Sequence, residues 1–380
     1  MKSAIPFDEI RRWMFDVALP LWAEVGLDRQ SGRFVEKLDY AGKPIDTGFH
    51  RTRVIGRQTY VFSHAAVLLG WQPAIELSAD GARQLDALYQ GPELGWPRTS
   101  DREGIVLDAT PDLYDLAFVL FGYAWRHKVA GSAETLASMH RVMDFIDAHM
   151  RTEEGFWHEL PPEGWRLQNP HMHLLEASLV AYEVSGESRF LAAAREIVDL
   201  FRTKLFDGRT LAEYFDADWN RASGEDGRLV EPGHQLEWAW ILIRFAELTG
   251  EDTVALAEGL VAFAEAHGVD QATGRTMQVV MDDGMPVDAG ARTWPNTERI
   301  KAHLALFEAT GKDPTEAVAS SVRLLLDRYF DTAIPGLWIE RFTADGKPEA
   351  NDVPASTFYH VFLAFSEVLR LQPAIEALAD

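Results

Sequence analysis

Six stretches of the chain are apolar on nearly every helical face: about 57–70, 110–127, 171–184, 233–248, 296–311 and 355–371. A helix with no polar stripe to turn toward water has to be buried, so these read as inner helices. The stretches near 7–24, 74–90, 132–150, 188–204, 252–268 and 314–330 instead carry Lys, Arg, Glu and Asp at the spacing of a solvent face. They read as amphipathic outer helices. Ser185-Gly186, Thr249-Gly250 and Thr310-Gly311 fall between an inner and an outer member, where a short helix-helix turn belongs. The pattern predicts twelve helices in six antiparallel pairs.

Each inner stretch opens at a polar cluster, anchored at Arg57, Tyr114, His173, His234, Glu298 and His360, with successive spacings of 57, 59, 61, 64 and 62 residues. A near-constant period marks repeated supersecondary units. If six such units close into a ring, the inner helices start at one mouth and their polar clusters converge on one pocket. Between each outer helix and the next inner one lies a longer loop, and five of these loops echo one another: Gly32-Arg-Phe-Val-Glu36, Gly155-Phe-Trp-His-Glu159, Gly208-Arg-Thr-Leu-Ala-Glu213, Gly274-Arg-Thr-Met-Gln278 and Gly336-Leu-Trp-Ile-Glu340. With Asp283-Gly284 and Asp345-Gly346 as turns, the echo predicts small β-hairpins at the mouth. No linker or low-complexity run interrupts the period, so residues 1–380 are expected to form a single domain.

Charge narrows the ligands. The formal net charge of -23 repels phosphate backbones and anionic lipid surfaces, which argues against nucleic-acid and membrane partners. A substrate should be a neutral small molecule, or have its charge met by a local arginine. No uncharged run reaches the roughly 18 residues needed to span a bilayer, and the start MKSAIPFDEI lacks a signal-peptide core, so a cytoplasmic location is the default expectation. Zero cysteine removes thiol nucleophiles and thiolate metal sites. No glycine-rich phosphate loop is visible. The reading expects no cofactor, and it admits a homodimer.

The chemistry therefore falls to histidine, carboxylate, arginine and aromatic groups. In Asn169-Pro-His-Met-His-Leu-Leu-Glu176 a helix puts Asn169, His173 and Glu176 on one face and turns His171 elsewhere. That separation argues against a zinc site built on His-Met-His, and no metal is expected. In Glu231-Pro-Gly-His-Gln-Leu-Glu-Trp238, His234 and Glu237 lie one turn apart, and a carboxylate beside an imidazole equips it for acid-base work. Ser356-Thr-Phe-Tyr-His360 brings another histidine to the sixth inner helix. Arg57, at the head of an apolar helix, needs oxygen-rich company: a sugar carbonyl or hydroxyl, or an ion pair with Glu237 or Glu298. Of Trp96, Trp157, Trp294 and Trp338, in or beside the loops, two are expected to stack on substrate.

Arg57-Gln-Thr-Tyr-Val-Phe-Ser63, Asn169-Pro-His-Met-His-Leu-Leu-Glu-Ala177, Pro232-Gly-His-Gln-Leu-Glu-Trp238, Trp294-Pro-Asn-Thr-Glu298 and Phe358-Tyr-His360 together resemble the motifs of the N-acylglucosamine 2-epimerase superfamily, in order, over about residues 10–371. The resemblance implies an all-α (α/α)6 barrel. It implies His234 and His360 as acid-base histidines, and Arg57, Tyr114, Asn169, His173, Glu237, Trp294 and Glu298 as substrate-binding residues. It also implies an isomerase that opens a monosaccharide ring and works through an enediol. The motif forms look closer to the mannose aldose-ketose isomerases than to the cellobiose 2-epimerases, although Asn296 stands where glutamine is expected. A sugar 2-epimerase is the alternative within the family. Outside it, a glycoside hydrolase on the same barrel would recruit Asp112, Asp115, Glu176 or Glu237, and a non-catalytic sugar-binding protein would not need His234 and His360.

Overall fold

The computed structural model describes residues 5–378; the first four residues and the last two, part of the expected 1–380 domain, lie outside the described residues. The six inner helices are Thr52–Leu69, Leu113–Ala130, Gln168–Ser185, Pro232–Thr249, Thr293–Thr310 and Thr357–Glu376, called inner helices one to six below. The first five are each 18 residues long and end at Gly70, Gly131, Gly186, Gly250 and Gly311, all in the left-handed conformation that caps a helix cheaply only in glycine. Outer rods at 7–25, 72–88, 133–150, 188–205, 254–268 and 315–329 pack around them. Inner helices one, three and five begin three to five residues before their predicted starts. Their first turns, such as Thr52-Arg-Val-Ile-Gly56, hold no break that would stop a helix, so the polar clusters fall inside the helix.

The rim is built of short strands. Local hairpins form at Leu27–Asp28 with Arg33–Phe34, and at Val279–Met281 with Pro286–Asp288 around the predicted Asp283-Gly284 turn. Most other pairings join neighbouring units: His50–Arg51 with Thr99–Ser100, Arg166–Leu167 with Tyr214–Phe215, Leu229–Val230 with Val279–Met281, and Ala291–Arg292 with Arg341–Phe342, all antiparallel. Lys37–Leu38 pairs with Val353–Pro354, which ties the first unit to the last. The first outer rod completes that seam: Trp13 stacks on Phe330 at 4.0 Å between ring centres and Trp22 on Trp338 at 5.1 Å, all four rings buried. The six hairpins thus close into a barrel. Among the described residues no helix is long and apolar enough to cross a membrane.

Candidate active site

The repeat fixes what faces the barrel axis. The sixth residue of inner helices one, three, four and five is Arg57, His173, Glu237 and Glu298 respectively, and the ninth residue of helices three and five is Glu176 and Lys301. Stacked turns therefore deliver polar layers to one axis, above an otherwise apolar interior. At the mouth lies a cavity of ≈ 180 Å³, whose lining includes Arg57, Tyr114, Asn169, His173, His234, Glu237, Trp294 and His360. Glu231, Gln278, Arg292, Ser356 and Thr357 complete it.

Two histidines border this cavity with opposite electrostatics. His234 presents Nδ1 to Glu213 Oε2 at 2.9 Å, with Glu231 Oε2 at 3.9 Å. Gln168 braces the pair: its Nε2 lies 3.1 Å from His234 Nδ1 and donates to Glu213 at 2.9 Å, while its carbonyl accepts from the Trp238 indole at 2.5 Å. Burial disfavours a charged ring, but Glu213 and Glu231 outweigh it and raise His234 to about 10. At neutral pH it is an imidazolium. His360 presents Nδ1 to Glu298 Oε1 at 2.8 Å, yet burial, joined by the positive charges of Arg57 and Lys301, holds its pKa well below the ordinary histidine value. It is a neutral imidazole. Trp294 stands between them, its ring centre 5.2 Å from His234 and 5.4 Å from His360.

The other walls are aromatic and cationic. Arg57 donates to Tyr114 Oη at 2.6 Å and lies 4.2 Å over the Phe118 ring, rather than pairing with Glu237 or Glu298. Its buried Nε has no partner among the described residues. His173 packs edge-on against Tyr114 at 4.7 Å and turns Nδ1 toward Glu176 at 3.4 Å; burial lowers its pKa against the pull of Glu237 and Glu176. Asn169 leaves its buried Oδ1 without a partner. Unpaired polar atoms of this kind at a cavity wall are suited to a hydroxyl-rich ligand.

The model of the N-acylglucosamine 2-epimerase (GlcNAc 2-epimerase) family matches residues 32–364. The chain belongs to that family. It is 35% identical over 372 residues to a mannose-6-phosphate isomerase of Rhizobium meliloti (strain 1021), covering 95% of this chain and 96% of the relative. A D-mannose isomerase of Thermobifida fusca is 29% identical over 333 residues, 79% of each protein. The solved cellobiose 2-epimerase from Spirochaeta thermophila DSM 6192 superposes with a TM-score of 0.87 at 23% identity, covering 98% of this chain and 97% of that one. Membership makes this protein a sugar isomerase or epimerase, and its helical barrel is the family's fold.

Several epimerase-family positions sit differently from their reading in sequence. Glu298 is wholly buried and does not line the cavity; it stands behind His360, whose Nδ1 it meets at 2.8 Å. Glu237 does not hold His234: it lies 3.9 Å from His360 Nδ1 and from Lys301 Nζ, since the imidazole of His234 turns outward to the rim. Of the four tryptophans, Trp294 alone borders the cavity; Trp96 and Trp338 are core, and Trp157 lies under the Arg166 guanidinium at 4.2 Å. Asn296 points away from the cavity. It accepts from Thr276 N at 2.9 Å and donates to Arg292 O at 2.7 Å, so the missing glutamine costs no contact at the cavity wall.

The polar partners that sequence reading missed were present in the loop echo. Its terminal residues each hold a polar side chain: Glu36 and Glu340 hold Arg51 and Arg292 at 2.7 and 2.9 Å, Glu159 holds Arg98 at 2.5 Å, Glu213 holds His234, and Gln278 donates to Glu231 at 3.0 Å. Gly233 gives a separate test of the Trp294 spacer. A Cβ built there would lie 2.5 Å from the Trp294 ring, closer than atoms pack. Gly233→Ala is therefore expected to push the indole out from between the histidines, costing about 1–3 kcal/mol of stability and lowering kcat in the folded variant. Calorimetry and steady-state kinetics check both; unchanged values would show that the ring has room to yield.

Proposed function

We propose that this enzyme interconverts an aldose and its ketose, D-mannose and D-fructose, by ring opening and a cis-enediol, with His234 and His360 as an acid-base pair. The supporting observation is the charge division across Trp294: an imidazolium on one side of the cavity and a neutral imidazole on the other. Moving a carbonyl from C1 to C2 needs an acid for the ring and carbonyl oxygens, and a base that takes the C2 proton and returns it to C1. His234 supplies the acid. His360, with Nδ1 engaged by Glu298, is the base and carries the proton between the two carbons. Arg57, Tyr114, Asn169 and His173 hold the sugar hydroxyls, and Trp294 lies along the chain of carbons. Among the described carboxylates only Glu231 and Glu237 line the cavity; Glu231 is held by Gln278 at 3.0 Å, and Glu237 lies 3.9 Å from both the Lys301 ammonium and His360, beside the proposed base.

A specific observation favours one variant of the substrate. The Rhizobium relative is named for mannose 6-phosphate, and Arg57 and Arg292 line this cavity. The test is incubation in deuterated water with mannose, mannose 6-phosphate, fructose, glucose and N-acetylmannosamine, reading products and the deuterated carbon together. Ketose from mannose is the expected result. A 2-epimer with deuterium at C2 would assign the protein to the epimerases, and turnover of the phosphate ester alone would move the substrate.

The proposed pair of histidines needs no metal for its proton transfers. Among the described residues three groups bring ligand atoms within 4.8 Å of one another: His173 with Glu176 and Glu237, Glu213 with Glu231 and His234, and Glu237 with Glu298 and His360. In each, one carboxylate already has a partner: Tyr359 donates to Glu176 at 2.7 Å, Gln168 donates to Glu213 at 2.9 Å, and the Lys301 ammonium pairs with Glu298 at 2.6 Å. Dialysis against EDTA is expected to leave activity intact. Loss restored by one divalent metal would overturn the two-histidine mechanism.

A further inference from the structure

Beneath the cavity, one buried cation lies outside the chemistry so far described. Lys301, on the ninth position of inner helix five, has no exposed surface and does not touch the cavity. Its Nζ lies 2.6 Å from Glu298 Oε2, 3.9 Å from Glu237 Oε1 and 4.3 Å from the Trp240 ring centre. The other oxygen of Glu298 is the one that faces His360 Nδ1, at 2.8 Å. A fully buried ammonium is costly unless it is paired, so a lysine at this place needs a reason.

We infer that Lys301 is a positioning residue: clamped on one oxygen of Glu298, its ammonium keeps the other oxygen an acceptor for His360 Nδ1–H, and so leaves His360 Nε2 bare toward the substrate. A neutral imidazole carries one proton, and the nitrogen that holds it is set by the partner of the other. A carboxylate at Nδ1 takes a hydrogen bond and frees Nε2 as a base. A carboxylic acid at Nδ1 gives one, and moves the ring proton to Nε2, where it blocks proton abstraction. Burial, Glu237 and Glu176 hold the Glu298 carboxyl well above its ordinary value even with Lys301 beside it, and the ammonium 2.6 Å from Oε2 is the influence that opposes them and favours the carboxylate. Facing the cluster are Glu176 from inner helix three and Tyr359 from inner helix six, which donates to it at 2.7 Å, with Arg57 and His173 above. Lys301 is the only ammonium among them. Its removal tips Glu298 to the acid.

The inference rests on the acid-base reading for its kinetic arm only; the tautomer is read without turnover. In protein with ¹⁵N-labelled histidine, the His360 signals are assigned by their absence in His360→Asn. The wild type is expected to show a protonated Nδ1 and a bare Nε2. Lys301→Met should reverse them, lower kcat by about 100-fold and leave KM within a factor of about two, since no binding contact is lost. Lys301→Gln, which keeps a donor to Glu298 without the charge, should show the same reversal in a cluster less prone to unfolding. An unchanged tautomer in either folded variant, or a protonated Nε2 in the wild type, overturns the inference. If the wild type turned over none of the sugars, the proposed function would fail while the tautomer result stood.

Discussion

His360→Asn is expected to abolish exchange of the C2 hydrogen with solvent and to lower kcat by about 100- to 10,000-fold, the range for removing a positioned acid-base group. Asparagine still reaches Glu298 with a donor, so the buried pair keeps its hydrogen bond and the barrel its fold; what disappears is the basic nitrogen at the cavity. Sugar binding through Arg57, Tyr114, Asn169 and Trp294 should persist, placing the loss in kcat and not in KM. Deuterium incorporation by NMR, alongside kinetics, separates the two. Should the folded variant exchange C2 hydrogen at the wild-type rate, the base would have to be sought at His173, which lines the same cavity.

The fold and most of the site could be read because the repeat makes them local. Inner helices one to six are apolar on nearly all faces, and the period alone places Arg57, His173 and Glu298 at equivalent positions of their helices. Pairings across the barrel could not be read this way. Glu298 and His360 are 62 residues apart and His234 and Glu213 are 21 apart. Nothing in helical periodicity says that Glu213 of a rim loop, and not Glu237 one turn down the same helix, would reach His234. That choice depends on which way the imidazole turns, and it is fixed by Gln168 on a neighbouring helix. Lys301 shows the opposite difficulty. In sequence it looks like a polar break in the apolar pattern of inner helix five, and only the stacked ninth-position layer brings it beside Glu298. The rim echo was legible as a motif, but its terminal carboxylates and amide gained meaning only when the strands paired between units.

Glu213→Gln should cost activity in a pH-dependent way, because the raised pKa of His234 comes from its carboxylate neighbours. In the wild type His234 stays protonated to about pH 10 and the alkaline limb of kcat/KM lies correspondingly high. Glutamine keeps an acceptor for Nδ1–H, so ring orientation is retained while the charge is lost. Burial then pulls the pKa down against only Glu231 and the more distant Glu237, and the ring is expected to be neutral at pH 8. Activity there is expected to fall about 100-fold, and the deficit should shrink as pH is lowered and the imidazolium returns. Stability follows the same sign. The folded-state pKa lies above the unfolded value of 6.5, so the ion pair stabilises fully below about pH 6.5 and its contribution is lost as pH climbs toward 10. Calorimetry should show the wild type losing more Tm than Glu213→Gln between pH 6 and pH 10. If the two proteins instead gave superimposable pH-rate profiles and parallel Tm curves, His234 would not owe its charge to Glu213, and the division of acid and base between the two histidines would have to be redrawn.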